Sequence, residues 1–236
     1  MTATGPKTIG MIGGMSWESS SVYYQLVNRA VQQRLGGMHS ARVLMHSFDF
    51  QEIADLQDAA KWDEATARMC EAGLGLARGG ADFLMICCNT MHRMADAVEK
   101  AAGVPLLHIA DPLGEAIRAR GIGTVGLIGS RHTMEQDAIL TGRLRKRHGL
   151  EILVPEGEDF RAIDRIVYEE MVRGRFEEPA RARTRDAIGR LAARGARGIV
   201  LGCTEFPILV KPDDSPVPLF DTTTLHAMAA VDLAVC

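Results

Sequence analysis

Two short stretches of the sequence place a cysteine in matching surroundings. ICCNTMH covers residues 86–92 and GCTE covers residues 202–205, and each follows or ends an apolar run. A thiol titrates near pH ~8.5 when unperturbed, and the N–H groups at the start of a helix lower that value towards neutrality. Because Cys88 and Cys203 both precede a predicted helix start, we expect two reactive thiols.

Two thiols that face one carbon atom from opposite sides can invert a stereocentre. A thiolate on one face removes a proton from a carbon acid, a thiol on the other face supplies a new proton, and exchanged roles run the reaction backwards. A cysteine hydrolase or transferase needs one nucleophile and a separate base instead. The pair therefore favours an isomerase.

The proton on Cα of an amino acid is a very weak acid, so the carbanion must be stabilised by hydrogen-bond donors and backbone N–H groups. The predicted substrate-binding residues lie beside the two cysteines, or in the turns GGMSW (13–17) and GSRHTM (129–134). They are Met15, Ser16, Asn89, Thr90, Thr133 and Thr204.

Two further residues are predicted to support the thiols. His92 lies four residues after Cys88, on the same face of a predicted helix, where it could lower the pKa of the thiol or polarise the pocket. Glu205 could orient the thiol of Cys203 or accept a hydrogen bond from the substrate ammonium.

Each of these residues also has a purely structural interpretation. A free cysteine at a strand end is usually a small buried hydrophobe, and we keep that interpretation for Cys70, Cys87 and Cys236. His92 could be an ordinary helix-face histidine, Glu205 a first-turn charge, and Thr90 and Thr204 helix N-caps. A metal site at Cys88 and His92 is not expected, because no second Cys or His cluster has ligand spacing.

An internal repeat explains why the two cysteines match. LARGGADFLMICCNT (76–90) aligns with LAARGARGIVLGCTE (191–205) at an offset of 115 residues. TIGMIGG (8–14) recurs as TVGLIGS (124–130) at an offset of 116, and VPL recurs at an offset of 113. The chain is therefore predicted to consist of two pseudo-symmetric halves in which Cys88 and Cys203 are equivalent.

Short apolar runs alternate with amphipathic stretches, which predicts α/β domains with mainly parallel sheets. The strand candidates cover residues 8–13, 41–48, 82–88, 104–109, 124–129, 150–155, 198–203 and 217–220, and helix candidates include 20–35, 62–78 and 178–194. We expect a first half over 1–112, a second half over 113–221, and a last helix over 222–236 that packs back on the first half. Ligands bind at the carboxyl ends of such strands, which predicts an active site in a cleft between the halves.

Composition narrows the class of protein. The chain of 236 residues is 47% apolar and 24% charged, with a net charge of −3 and a pI near 6.2, which indicates neither a nucleic-acid partner nor an anionic membrane. Five cysteines, an odd number thinly spread, suit a reducing cytoplasm. GMIGGMSW lacks the GxGxxG and GK[ST] patterns of nucleotide-binding loops.

The stretches GMIGGMSWESS, CNTMH, SRHTMEQD and LGCTE together resemble the aspartate/glutamate racemase family. The resemblance runs from Lys7 to the final helix. It implies two similar α/β domains, an interdomain cleft, and an amino-acid racemase with two catalytic cysteines and no pyridoxal phosphate or other cofactor. By motif position these are Cys88 and Cys203, and Cys87 points to the other side of its strand. Relatives are often dimeric, so a homodimer is suggested by analogy alone.

The sequence departs from this family in one respect. Aspartate-specific members place basic residues after the second strand and in the helix after the sixth. Here SFDFQEIADLQ (47–57) has no Lys or Arg, and YEEMVRG (168–174) offers only a displaced Arg173. This departure argues against an acidic substrate and favours other amino acids, or several. Gln57 is the candidate contact for the substrate side chain.

Two other functions stay open at this point. A decarboxylase or a cis–trans isomerase of small dicarboxylates would use cleft cysteines on the same scaffold. An amino-acid-binding protein without catalysis would bind its ligand without exchanging the Cα proton, although it would have no need of two thiols.

Overall fold

The computed structural model describes residues 5–135 and 140–235. Cys236 and the last two residues of the SRHTMEQD stretch, Gln136 and Asp137, therefore lie outside the described residues.

The chain forms two compact units. The first comprises Met1–Ile109 and His226–Cys236, and the second comprises Ala110–Leu225. The unit boundaries thus lie at 109/110 and 225/226, against 112/113 and 221/222 expected from the sequence.

Each unit is built on one four-stranded parallel sheet. The strands of the first unit are β1 (Thr8–Gly13), β2 (Arg42–Ser47), β3 (Phe83–Ile86) and β4 (Leu106–Leu107), and those of the second are β5 (Thr124–Ile128), β6 (Glu151–Leu153), β7 (Ile199–Leu201) and β8 (Leu219–Asp221). Their spatial orders are β2-β1-β3-β4 and β6-β5-β7-β8, so the two sheets repeat one topology. The predicted α/β class with parallel sheets is confirmed.

Helices connect the strands in both units. They are α1 (Trp17–Leu35), α2 (Phe50–Asp58), α3 (Trp62–Arg78), α4 (Ala95–Ala102), α5 (Ala110–Ala119), α6 (Arg131–Met134), α7 (Leu140–His148), α8 (Gly157–Arg165), α9 (Glu178–Ala193), α10 (Phe206–Leu209) and α11 (Thr222–Val235). A 3₁₀ turn over Thr90–Met94 precedes α4, and one turn of π-helix over Ile166–Glu170 extends α8. Parallel strands need such crossovers, because a short turn cannot return the chain to the same end of the sheet.

The first sheet is covered on both faces, and side chains of β3 and the residues after it alternate between two apolar clusters. Cys87 belongs to the cluster on one face, with α1 and α11. Cys88 packs against the cluster on the other face, with α3 and α4. Cys87 is fully buried, and burial raises the pKa of its thiol, with a smaller contribution from the charge of Cys88. Cys87 therefore packs as predicted.

The C-terminal helix α11 completes the core of the first unit. Its small apolar side chains are buried beside α1 and the sheet: Ala227, Ala230, Val231 and Ala234. The backbone N–H of Lys7 donates to the carbonyl of Ala234 at 2.8 Å, and Arg34 pairs with Asp232 at 2.5 Å. The end of the chain thus belongs to the core of its beginning.

Among residues 5–135 and 140–235, no helix combines the length and the hydropathy that crossing a membrane requires.

Candidate functional site

The two cysteines occupy equivalent places in the two units. Cys88 lies two residues after the end of β3, before the 3₁₀ turn, and Cys203 lies two residues after the end of β7, before α10. β3 and β7 are the same inner strand of the repeated sheet order. Neither cysteine is part of a disulfide and both are half-buried, so each unit presents one thiol at the carboxyl end of its sheet.

The turn after β1 is held rigidly beside the Cys88 strand end. Gly14 has φ 87°, and a Cβ there would lie 2.3 Å from the backbone N and O of Phe48, so only glycine fits. The hydroxyl of Ser20 accepts from the Gly14 N–H at 2.8 Å and donates to the Ser16 carbonyl at 3.0 Å. Ser16 is the N-cap of α1, and its hydroxyl accepts from the Ser19 N–H.

Apolar packing links this turn to the cysteine. Met15, Met91 and Cys88 pack in the same apolar cluster, and Met15 is 5% exposed. Asn89 and Thr90 follow Cys88 directly and are buried as well. The half-buried thiol of Cys88 therefore lies among side chains that are more deeply buried than it is.

His92 holds the backbone of the cysteine turn. Its Nε2 accepts a hydrogen bond from the backbone N–H of Ile109 at 3.2 Å, so that nitrogen carries no proton. The proton is then on Nδ1, which donates to the carbonyl of Cys88 at 2.8 Å. This hydrogen bond of the ring goes to the backbone carbonyl of Cys88, and the expected action of His92 on the thiol stays a prediction.

A histidine cluster continues behind His92. The ring of His92 lies 4.7 Å from that of His108 and 5.5 Å from that of His226, between centroids. His226 is fully buried: its Nδ1 accepts from the Tyr23 hydroxyl at 3.1 Å, and its Nε2 donates to the Leu107 carbonyl at 2.9 Å. Burial lowers the pKa of His226 to about 4, and its hydrogen bond to Leu107 opposes this. This neutral ring could not be predicted from the sequence, because His226 is 134 positions away from His92 in the chain.

Gln57 reaches the same turn from α2. Its side chain is 7% exposed, and its Nε2 donates to the sulfur of Met91 at 3.1 Å. Gln57 therefore braces the residue between Thr90 and His92, a contact that the sequence did not predict.

In the second unit, Cys203 forms a hydrogen bond with a buried carboxylate. The Sγ of Cys203 donates to Oε2 of Glu205 at 2.9 Å, and the hydroxyl of Thr204 donates to the same oxygen at 2.9 Å. Glu205 is 4% exposed and occupies the N-cap position of α10. This is the contact that the expected orienting role of Glu205 needs, and the role itself stays a prediction.

The N-cap interpretation of the two threonines is wrong. Thr90 is the first residue of its 3₁₀ turn, with Asn89 in the N-cap position. Thr204 precedes the N-cap residue Glu205 and gives its hydroxyl to that side chain. Neither threonine therefore occupies an N-cap position.

The turn after β5 packs tightly against the strand end that carries Cys203. Thr133 is buried and its hydroxyl lies 3.3 Å from that of Ser130. A Cβ on Gly202 would lie 2.7 Å from Cδ1 of Leu127 and 3.2 Å from Cγ2 of Thr133. Because Gly202 has no side chain, the backbone just before Cys203 can pack closely against Thr133.

A cation in this turn was not singled out from the sequence. The backbone N–H of Arg131 donates to Oδ1 of Asp164 at 2.8 Å, and its guanidinium donates to Oδ2 at 3.2 Å and lies 5.0 Å from the ring centre of Tyr168. Arg173, the displaced basic residue, is exposed in a 3₁₀ turn after the π-helix. The basic residue of the SRHTM turn is therefore Arg131, which forms an ion pair with Asp164.

The described contacts sort the predicted residues into two groups, one in each unit. Met15, Ser16, Gln57, Asn89, Thr90 and His92 surround Cys88 or brace its turn, and Thr133, Thr204 and Glu205 accompany Cys203. Within the described part of the chain, no group of three or more His, Cys, Asp or Glu side chains is arranged to hold a metal ion. Each group offers one thiol that can give or take a proton.

Comparison with known proteins shows which family the chain is similar to. The sequence profile of the Asp/Glu/hydantoin racemase family matches residues 12–230. The crystal structure of a Yersinia pestis protein provisionally named an Asp/Glu racemase is 46% identical, with a TM-score of 0.90, and covers 97% of this chain and 99% of that one. An aspartate racemase homologue from Pyrococcus horikoshii OT3 is 30% identical, with a TM-score of 0.83 over 97% of this chain and 99% of that one.

A curated relative extends the comparison to activity. The broad specificity amino-acid racemase RacX of Bacillus subtilis (strain 168) is 22% identical over 230 residues, which are 94% of this chain and 96% of that protein. The protein therefore belongs to the Asp/Glu/hydantoin racemase family and is an isomerase of the amino-acid racemase class.

Proposed function

We propose that the protein inverts amino acids at Cα with two thiols, Cys88 and Cys203, and without pyridoxal phosphate. The observation that carries the proposal is the equivalence of the two cysteines: each is half-buried and lies two residues past the end of the same strand in two sheets of one topology. A single-nucleophile enzyme has no use for a thiol repeated in this way.

The reaction has two proton transfers. A thiolate takes the Cα proton, so that an S–H bond forms while the C–H pair of electrons stays on carbon. The second thiol then gives its proton to the opposite face of the carbanion and becomes the thiolate. The proposal requires both sulfurs to reach the same Cα from opposite sides.

Donors next to the thiols would bind the substrate carboxylate and stabilise the charge that develops on it. The buried polar groups that flank the cysteines are suited to this role: Ser16, Asn89, Thr90, Thr133 and Thr204. With Met15 in the apolar cluster against which Cys88 packs, the donors near Cys88 act in surroundings where water competes little.

For the substrate, we propose neutral or several amino acids in addition to aspartate and glutamate. The segment 47–57 contains no Lys or Arg and carries Asp49, Glu52 and Asp55 instead. A carboxylate side chain would find no cation on that segment, whereas the amide of Gln57 can contact a polar or neutral side chain. The similarity to a broad specificity racemase supports this choice.

We also propose that the protein works in the cytoplasm. None of the four cysteines among the described residues is in a disulfide, which is the state that a reducing compartment maintains. A homodimer stays a prediction by analogy.

The test is hydrogen exchange at Cα in D₂O, followed by NMR, for a panel of acidic, neutral and basic L-amino acids. Wild type is compared with Cys88→Ser, Cys203→Ser and the control Cys70→Ser, since Cys70 is a free, half-buried thiol on α3 outside both groups. We expect exchange with inversion in wild type and Cys70→Ser, and loss of inversion in the other two variants.

The same experiment separates the alternatives. No exchange with any amino acid would reject the racemase mechanism. Release of CO₂ from a dicarboxylate, or isomerisation of an alkene, would assign the site to the other reactions of this scaffold. Saturable binding of an amino acid without exchange would indicate a binding protein.

A further inference from the structure

We propose that Glu205 keeps Cys203 in the thiol form in the resting enzyme, which leaves Cys88 as the base that starts the reaction. The two-thiol mechanism treats the cysteines as equivalent, whereas only Cys203 is followed two residues later by a carboxylate, which bonds its thiol. The protonation state of Cys203 can be measured without any substrate. Only its catalytic consequence rests on the proposed function.

The proton between Cys203 and Glu205 belongs to sulfur. Carboxylic acids are ordinarily far stronger acids than thiols, so a proton shared between the two resides on the thiol. The 2.9 Å contact between Sγ and Oε2 is then an S–H donor bonded to a carboxylate acceptor. The Thr204 hydroxyl donates to the same Oε2 at 2.9 Å, so this oxygen is the acceptor for both neighbouring side chains.

Loss of the proton from Cys203 would place two negative charges side by side. A thiolate at Sγ would lie 2.9 Å from an oxygen of Glu205, which is 4% exposed and so poorly screened by water. Like charges at that distance repel strongly in a partly desolvated site. The charged form of Cys203 is therefore the less stable one until a substrate is bound.

The equivalent position after Cys88 carries a different residue. In the aligned repeat, Asn89 stands where the second half has Thr204, and Thr90 stands where it has Glu205. A threonine cannot oppose a thiolate by charge, and its hydroxyl can donate to one. Symmetry thus equates the two sulfurs while the residues two positions later distinguish them.

This asymmetry gives the reaction a defined starting state. The enantiomer whose Cα–H faces Cys88 meets a ready thiolate, and Cys203 then gives its proton to the opposite face. The enzyme left behind has Cys88 as the thiol and Cys203 as the thiolate. One proton must leave Cys88 and one must return to Cys203, by exchange with water, before the same enantiomer can react again.

The test is the rate at which iodoacetamide alkylates each cysteine, because the thiolate is the form that reacts. Mass spectrometry of the peptides gives separate rates for Cys88, Cys203 and Cys70 in the wild-type protein and in Glu205→Gln. We expect Cys203 to react more slowly than Cys88 in wild type. Removal of the neighbouring charge in Glu205→Gln should accelerate Cys203 by roughly tenfold or more.

Matched variants separate charge from structure. Glu205→Asp keeps the charge and should keep Cys203 slow, whereas Glu71→Gln, on the exposed side of α3, should change neither cysteine. Cys70 serves as the internal standard, because its alkylation rate rises if a variant loosens the fold. An unchanged Cys203 rate in Glu205→Gln, or a Cys203 that reacts faster than Cys88 in wild type, would overturn the proposal.

A second readout tests the catalytic consequence. The equilibrium constant of racemisation is one, so kcat/KM must be equal for the two enantiomers. The enantiomer that binds the resting form should then show both the lower KM and the lower kcat. Glu205→Gln should bring the two KM values together. Alkylation rates as expected, with no Cα exchange in D₂O, would reject the function and leave the assignment of the resting thiol in place.

Discussion

His226 makes the stability of the first unit depend on pH in a way that can be calculated. Its fully buried ring accepts a hydrogen bond from Tyr23 and donates one to Leu107, and burial lowers its pKa from 6.5 to about 4. In the unfolded chain the ring binds a proton near its ordinary pKa, so between the two values the unfolded state binds more protons. The free energy of unfolding therefore falls as the pH falls through this window.

The magnitude follows from the two pKa values. Each tenfold change in proton affinity corresponds to ~1.4 kcal/mol. The lowered pKa of His226 therefore reduces the free energy of unfolding by about 3 kcal/mol once the pH has reached the folded-state pKa. His226→Gln removes the titration, and its Nε2 can still donate to the Leu107 carbonyl. The difference in unfolding free energy between wild type and His226→Gln should therefore shift by about 3 kcal/mol, in favour of the variant, from about pH 7.5 to about pH 4.

Urea denaturation at a series of pH values measures this difference, and other titrating groups cancel because they are common to both proteins. The control is His39→Gln, since the exposed His39 side chain lies outside the core. A difference between wild type and His226→Gln that stays constant across this range would refute the reasoning and show that the ring has the same pKa in the folded protein as in the unfolded chain.

Two further predictions concern groups that hold the site in place. His92→Asn can still donate to the Cys88 carbonyl, because its amide nitrogen can take the position of Nδ1. His92→Gln keeps the hydrogen bond from the Ile109 N–H and loses the one to the Cys88 carbonyl. We therefore expect His92→Asn to keep more of kcat, and losses of about tenfold or more in His92→Gln; equal losses would contradict a role in holding Cys88. Gly202→Ala should lower the free energy of unfolding by about 1–3 kcal/mol and lower kcat as well, because its Cβ would lie 2.7 Å from a leucine methyl group. Gly189→Ala, where a Cβ meets no atom within 4 Å, should instead stabilise helix α9 by roughly 0.5–1 kcal/mol, and thermal unfolding compares the two.

The strands could be predicted from the sequence because each is a short apolar run that occurs twice. β1 was expected over 8–13 and spans Thr8–Gly13, and β5 was expected over 124–129 and spans Thr124–Ile128. The strand expected over 104–109 is only Leu106–Leu107 in the structure, because only Leu84 and Met85 of the neighbouring strand β3 pair with it. The length of an edge strand is decided by its partner, which its own residues do not reveal.

The site was harder to predict where a side chain has two possible partners. His92 was expected to act on the thiol because residues four apart share a helix face. The segment is a 3₁₀ turn, and the N–H of Ile109 selects which ring nitrogen is protonated. Glu205 and Cys203 are neighbours in sequence, so their interaction could be foreseen. The Gln57–Met91 contact joins residues 34 positions apart and could not.

The placement of α11 determines the order in which the chain can complete its fold. The second unit, Ala110–Leu225, is one continuous segment, so all of its residues are available before α11 is fully synthesised. The first unit needs Ala227, Ala230, Val231 and Ala234 to cover the face of its sheet beside α1. During synthesis the apolar face of the first unit therefore stays uncovered until α11 has been made. The second unit can fold before that point. Loss of the last helix would damage the beginning of the protein first.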